Sequence, residues 1–187
     1  MKRQATYTLT ATVLLILLGA MIAPADDYVF SPPLRYRGDT RSAFSWRPGP
    51  ATFPHTATVR LRVIGQHRDR PHPWEVAWVV IGNERRFVAF IPKPNGWELS
   101  LFDADALPQQ TFLASGRQRL FPVGDLITVT MIVSERGVGV ACGDLVFMRG
   151  WSRETPRPSW LLAPARAGIY VEDCVTVFEW QPDDTRR

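Results

Sequence analysis

Between Trp74 and Phe102 three apolar segments follow one another with almost nothing between them, and that succession narrows the possible folds more than any other stretch. Trp74–Ile81 runs into Gly82-Asn83-Glu84, Arg86–Ile91 runs into Pro92-Lys93-Pro94-Asn95-Gly96, and Trp97–Phe102 completes the set. Each segment is of strand length, rich in β-branched and aromatic residues, and bounded by Gly, Asn or Pro. Asn95-Gly96 is itself a tight-turn signal. The stretch reads as an antiparallel meander around which the remaining strands assemble.

Thr56–Ile64 alternates, with Ala57, Val59, Leu61 and Val63 on one face and Thr58, Arg60 and Arg62 on the other, as a half-exposed strand does. Further strands are expected at Ala43–Trp46, Thr111–Ser115, Leu126–Val133, Val138–Cys142, Leu145–Met148, Ala167–Val171 and Cys174–Trp180. The polar stretch Trp151–Trp160, with Pro156 and Pro158, reads as a long surface loop, and so does the Pro-interrupted segment holding His67 and His72. Many short strands at hairpin spacing, with no repeat and no strong amphipathic helix, define an all-β chain: a two-sheet antiparallel jelly-roll sandwich.

The first 25 residues stand apart. Lys2 and Arg3 precede an apolar run from Val13 to Ile22, which ends at Ala23-Pro24-Ala25. A basic start, a short apolar core and small residues before a cut form a signal peptide, with cleavage expected before Asp26. The run is too short for a membrane span, which needs about 20 apolar residues. The expected organisation is a leader at 1–25, an N-terminal arm at 26–42, a sandwich at 43–180 and a charged tail at 181–187. The mature domain is expected to be secreted or held in the periplasm or cell envelope, with no membrane span.

The leader accounts for two of the 22 Lys and Arg and for none of the 18 Asp and Glu, so the mature chain carries only +2. Its arginines are dispersed among carboxylates, whereas nucleic-acid binding needs a clustered basic stripe; no nucleic-acid partner is expected. Cys142 and Cys174 fall in two late strands. An even pair in an exported chain points to a disulfide, and the other reading is two separate buried thiols acting as small hydrophobes. Two Cys and three scattered His provide no zinc-ligand spacing.

Several short motifs occur together in a familiar order: Asn95-Gly96-Trp97-Glu98-Leu99, Gln110–Ser115, Phe121-Pro122-Val123-Gly124, the Cys142-Gly143-Asp144 hairpin, and Gly168–Asp173 with Phe178. Together they resemble secreted bacterial domains of the concanavalin A-like lectin/glucanase superfamily, in the branch of laminin-G-like modules and the 3-keto-disaccharide hydrolase domain. The resemblance spans about Ala43 to Trp180. It implies a jelly roll whose concave sheet or rim receives saccharides, sometimes with a structural calcium. Glucanases of this fold carry Glu-x-Asp-x-x-Glu on one strand, and no such run occurs here. Gly143-Asp144 stands where relatives commonly read Asp-Gly, and Cys174 where they commonly have a small residue.

Sugar recognition calls for flat aromatic faces beside a few hydrogen-bonding groups, and seven Trp is a high share for this length. Trp97, Glu98, Trp151 and Trp160 are the candidate ligand-binding residues, the first two because they directly follow a turn and the others because they lie in a loop. Glu172 and Asp173 are neighbours at a turn, where they cap backbone amides or, as the functional alternative, ligate calcium. No catalytic residue is assigned. A noncatalytic exported carbohydrate-binding domain is the expected function. The alternatives are an envelope protein-interaction module without a sugar ligand and a glycoside-processing hydrolase of the same fold. The intact mass of the exported product should match a chain beginning at Asp26; a mass that includes the apolar run would show an uncleaved anchor.

Overall fold

The computed structural model describes residues 34–35, 42–48, 53–66, 76–93, 95–120, 124–172 and 174–181. These residues form twelve strands: β1 Leu34–Arg35, β2 Ser42–Trp46, β3 His55–Gln66, β4 Ala77–Gly82, β5 Arg86–Lys93, β6 Gly96–Asp103, β7 Gln110–Gly116, β8 Ile127–Ser134, β9 Gly137–Cys142, β10 Leu145–Gly150, β11 Arg166–Glu172 and β12 Cys174–Trp180. They make two six-stranded antiparallel sheets, ordered β1-β12-β3-β8-β9-β10 and β2-β11-β4-β5-β6-β7. The expected sandwich is therefore the fold, and β4-β5-β6-β7 is the expected meander extended by one strand.

The alternation of β3 places Ala57, Val59, Leu61 and Val63, all fully buried, against the second sheet. Val129, Met131 and Val133 of β8 and Val138, Val140 and Cys142 of β9 continue the same face by direct cross-strand pairing. From the second sheet, Val79 and Ile81, Val88 and Phe90, Leu99, and Ile169 meet them. Among the described residues no helix is long and apolar enough to cross a membrane.

Two expectations change. The N-terminal arm is not separate from the sandwich, because its Leu34–Arg35 pairs with Thr176 and Val175 at the edge of the first sheet. Two residues carry too little pattern to be read as a strand. The Cys142–Cys174 disulfide does not form: both residues are buried thiols, and Cys174 Sγ lies 3.5 Å from Thr176 Oγ1. They face the same core from one sheet, but β3 and β8 lie between β12 and β9. Three strand spacings amount to about 14 Å, twice the reach of a disulfide between Cα atoms.

Burial pushes the Cys142 thiol up to about 12. At pH 8 in the native protein it should therefore resist alkylation. Both thiols should react with a colorimetric disulfide reagent after denaturation, with no reductant needed. Reactivity only after reduction would instead show a bond.

Candidate functional site

Strand β6 decides which side chains reach the outer face of the second sheet. Residues alternate along a strand, so Trp97 and Glu98 must part company. Trp97 turns into the core, where its ring centroid lies 5.0 Å from Phe147 of the opposite sheet and 6.3 Å from Phe90. Gly116 on β7 makes room for the indole, since a Cβ there would come within 2.3 Å of Nε1. Trp97 is thus a bridge between sheets and presents no stacking face, contrary to expectation. Glu98 emerges on the outer face with Ser100 and Phe102.

Direct cross-strand pairing extends that outer face over the whole sheet. Gly168, Val80, Ala89 and Ser100 form a row of small residues across β11, β4, β5 and β6. Phe44, Tyr170 and Trp78 stand in the row on one side, and Phe87 and Phe102 in the row on the other. The large rings lean over the small row and meet. Trp78 lies 5.4 Å from Phe102, Phe44 lies 5.6 Å from Phe87, and Phe87 stacks on Phe102 at 4.8 Å. Trp78 and Phe44 also flank Tyr170 at 4.6 and 4.7 Å. Trp46 extends the cluster, parallel to Phe44 within 6°. Val80, Ala89 and Ser100 are consequently fully buried on the side away from the core.

Beside the rings sits a compact polar group. Glu98, only 3% exposed, accepts hydrogen bonds at Oε1 from Ser100 Oγ at 2.7 Å and Gln110 Nε2 at 2.9 Å, and at Oε2 from Lys93 Nζ at 3.1 Å. Lys93 compensates the buried charge, and three donors satisfy the carboxylate. Phe112, paired with Ser100 across the β6–β7 bulge, stands on the same face and is 61% exposed. A hydrolytic pair would need a second carboxyl about 5–9 Å from the first. The positions around Glu98 are instead Lys93, Ile91, Ser100, Gln110 and Ser115.

Charged side chains rim the other end of the face. Arg86 pairs with Asp103 at 3.1 Å and with Asp105 at 2.9 Å, and Arg85 also contacts Asp105. The Asp105 backbone N–H, followed by Arg86, holds the Asp103 carboxyl below its ordinary range. Trp46 Nε1 donates to Glu84, and the Arg166 guanidinium lies 5.0 Å above the Trp46 ring.

The other expected residues lie elsewhere. Trp151 is half-buried, with Nε1 donating to the Ser134 carbonyl at 2.9 Å, and Trp160 is half-buried against the core in a 3-10 turn at Ser159–Leu162. The structure does not bring them to Glu98's face: Trp151 is tied to the end of β8, in the first sheet. Glu172 is placed by its backbone, opposite Ser42 on β11, while its side chain and all of Asp173 lie outside the described residues, as do Trp74, His67 and His72. Among the described residues no group of three or more His, Cys, Asp or Glu is placed to hold a metal ion. Sequence reasoning missed Phe44, Trp46, Trp78, Phe87, Phe102, Tyr170, Gln110 and Phe112. The signal was present in β4, whose apolar run Ala77–Ile81 lacks the alternation of β3, as expected for a strand covered on both faces.

No protein-family model matches the sequence, and no curated protein does. Solved structures share the fold. The carbohydrate-binding module CBM66 from Bacillus subtilis superposes with a TM-score of 0.56 at 8% identity, over 82% of this chain and 89% of that one. CG-16, a homodimeric agglutinin from chicken liver, does so with a TM-score of 0.50 at 10% identity, over 75% of this chain and 96% of that one. The chain thus has the sandwich fold of these lectin-like proteins.

Because the folded Asp103 carboxyl titrates below its unfolded value, its contribution to stability is complete above the unfolded value, about pH 4, and is lost as pH falls through the folded one. Asp103→Asn should lower the melting temperature slightly at pH 7 and flatten its decline below about pH 4. An unchanged acid limb in thermal melts at stepped pH would count against this network.

Proposed function

We propose that this chain is a noncatalytic, exported carbohydrate-binding domain whose ligand lies on the outer face of the second sheet. The observation that carries the reading is the aromatic cluster itself. Packing between the two sheets accounts for Phe90 and Trp97, whereas Phe44, Trp46, Trp78, Phe87, Phe102 and Tyr170 close the opposite side of the same sheet and leave Phe44, Trp46, Phe102 and Tyr170 partly at the surface. A pyranose ring is apolar on its C–H faces and polar around its hydroxyl rim, and an aromatic surface next to fixed donors and acceptors complements both.

Each group has a place in that chemistry. Trp46, Phe44 and Tyr170 are half-exposed and supply stacking area, and Phe112 offers a ring at the β7 edge. Lys93, oriented by Glu98, presents N–H groups to hydroxyl oxygens, and Gln110, whose Nε2 donates to both Glu98 and Ser100, holds that polar group in place. Arg166 and Glu84 fix the Trp46 indole. A site held by packing and by a satisfied hydrogen-bond network loses little conformational entropy on binding. The sandwich fold shared with a carbohydrate-binding module and an agglutinin supports the same reading without fixing a sugar.

Thermal melting against a panel of di- and polysaccharides, with and without calcium, tests the proposal. A bound saccharide at a hundredfold excess over Kd stabilises by about 2.7 kcal/mol, well within detection. Trp46→Ala and Phe112→Ala should each weaken that saccharide roughly tenfold, the equivalent of about 1.4 kcal/mol. Leu107→Ala, at a residue 96% exposed in the β6–β7 connection, should not. A panel in which no saccharide shifts the melt would overturn the reading and favour an envelope protein-interaction module.

A further inference from the structure

The charges around the outer face of the second sheet are unevenly matched. At the end beyond Phe87 and Phe102, three cations meet three carboxylates: Arg85 and Arg86 pair with Asp103 and Asp105, and Arg166 and Glu84 both contact the Trp46 indole. That end is neutral. At the opposite corner, where β5 ends, β6 begins and the chain leaves β7, Lys93, Arg117 and Arg119 stand against a single carboxylate, Glu98. Three cations against one carboxylate leave that corner at +2.

Strand pairing sets Gly96 opposite Lys93 and Trp97 opposite Gly116. Continued by one step, the second ladder brings Arg117 beside Gly96, where a Cβ on the glycine would come within 3.2 Å of the Arg117 Cα. The missing Cβ of Gly116 points at the Trp97 indole on the core side, so alternation carries Arg117, like Ser115, to the outer face. Lys93 is on that face already, with its ammonium on Glu98. Two long basic side chains thus flank a residue that has none, their backbones two strand spacings, about 10 Å, apart. Only glycine can stand between them, because a Cβ there would strike the Gly116 carbonyl oxygen at 2.2 Å.

The protein itself does not neutralise this corner. Arg117 and Arg119 are exposed, and among the described residues neither side chain makes a hydrogen bond or an ion pair. Glu98 is occupied by Ser100, Gln110 and Lys93. Glu172, the acidic residue of β11 at the same end of the sheet, is four strands from β7, about 19 Å away. A guanidinium in this setting pairs bidentately with a carboxylate or a sulfate, whereas neutral hydroxyls leave its charge unused.

We infer that the saccharide taken by this face is acidic, and that its anionic substituent, a uronate carboxylate or a sulfate ester, sits over Gly96 between Lys93 and Arg117. Neighbouring sugar rings then lie on the aromatic cluster, and the charged group fixes which way the chain runs across the sheet. The inference rests on the carbohydrate-binding role proposed for the face and adds the charge of the ligand to it.

Binding of polysaccharide pairs that differ only in charge tests it: polygalacturonate and its carboxyl-reduced form, and a sulfated galactan and its desulfated form, with inorganic sulfate as the free anion. At low salt the charged member of at least one pair should bind roughly tenfold tighter than its neutral form, and added salt should shrink that advantage. The pair that shows it tells carboxylate from sulfate ester. Arg117→Gln should bring the charged and neutral forms to parity, while Arg136→Gln, which removes the same charge from the exposed turn between β8 and β9, should leave the preference intact. Equal binding of charged and neutral forms overturns the inference and leaves the carbohydrate-binding role standing. A preference that survives Arg117→Gln overturns it as well, and so does inorganic sulfate that stabilises the protein as much as the charged polysaccharides do. If no member of either pair binds, this inference and the carbohydrate-binding role fall together.

Discussion

A β-strand sends alternate side chains to opposite faces, and in the second sheet neither face is left to water. One packs on the first sheet through Val79, Val88, Phe90, Trp97 and Leu99. The other is closed by its own rings, which fold down over the row Gly168, Val80, Ala89 and Ser100. Everything that distinguishes this molecule follows from that second closure. It requires small residues in one row and large ones on either side. Gly168 meets the requirement at its limit, since a Cβ there would come within 2.5 Å of the Trp46 ring.

The same arrangement joins stability to recognition. Rings that bury Val80 and Ala89 cannot be removed without exposing apolar sheet, so they are structural residues first. Phe44, Trp46, Phe102 and Tyr170 remain partly at the surface over the buried Trp78 and Phe87, and the polar group around Glu98 is seated beside them by strand pairing alone. Lys93, Glu98 and Ser100 come from two adjacent strands of one hairpin, and Gln110 from the third. The polar group is therefore as rigid as the sheet, which is what a low-entropy binding surface needs.

The strands were largely legible because their cues are local: the alternation of β3, the Asn95-Gly96 turn, the hairpin at Gly143-Asp144. What could not be read locally depended on strand order. Trp97 looked like a surface residue because it follows a turn, yet its neighbour across the sandwich, Phe147, lies 50 residues along the chain. The disulfide failed for a related reason: Cys142 and Cys174 share a sheet and a face, and only the order β12-β3-β8-β9 reveals the distance between them. Glu98 was named together with Trp97 because both follow a turn, but its three partners come from residues 5 before it and 2 and 12 after it, across two turns.

The central claim is that ligand meets the outer rings of the second sheet and not the tryptophans of the long loop. Indole N–H resonances separate these sites within one spectrum: a saccharide that shifts the melt is titrated into nitrogen-labelled protein. The account predicts that the Trp46 indole signal moves with occupancy while those of Trp97, Trp151 and Trp160 stay in place. Movement confined to Trp151 and Trp160 would contradict it and would put the binding site in the loop between β10 and β11.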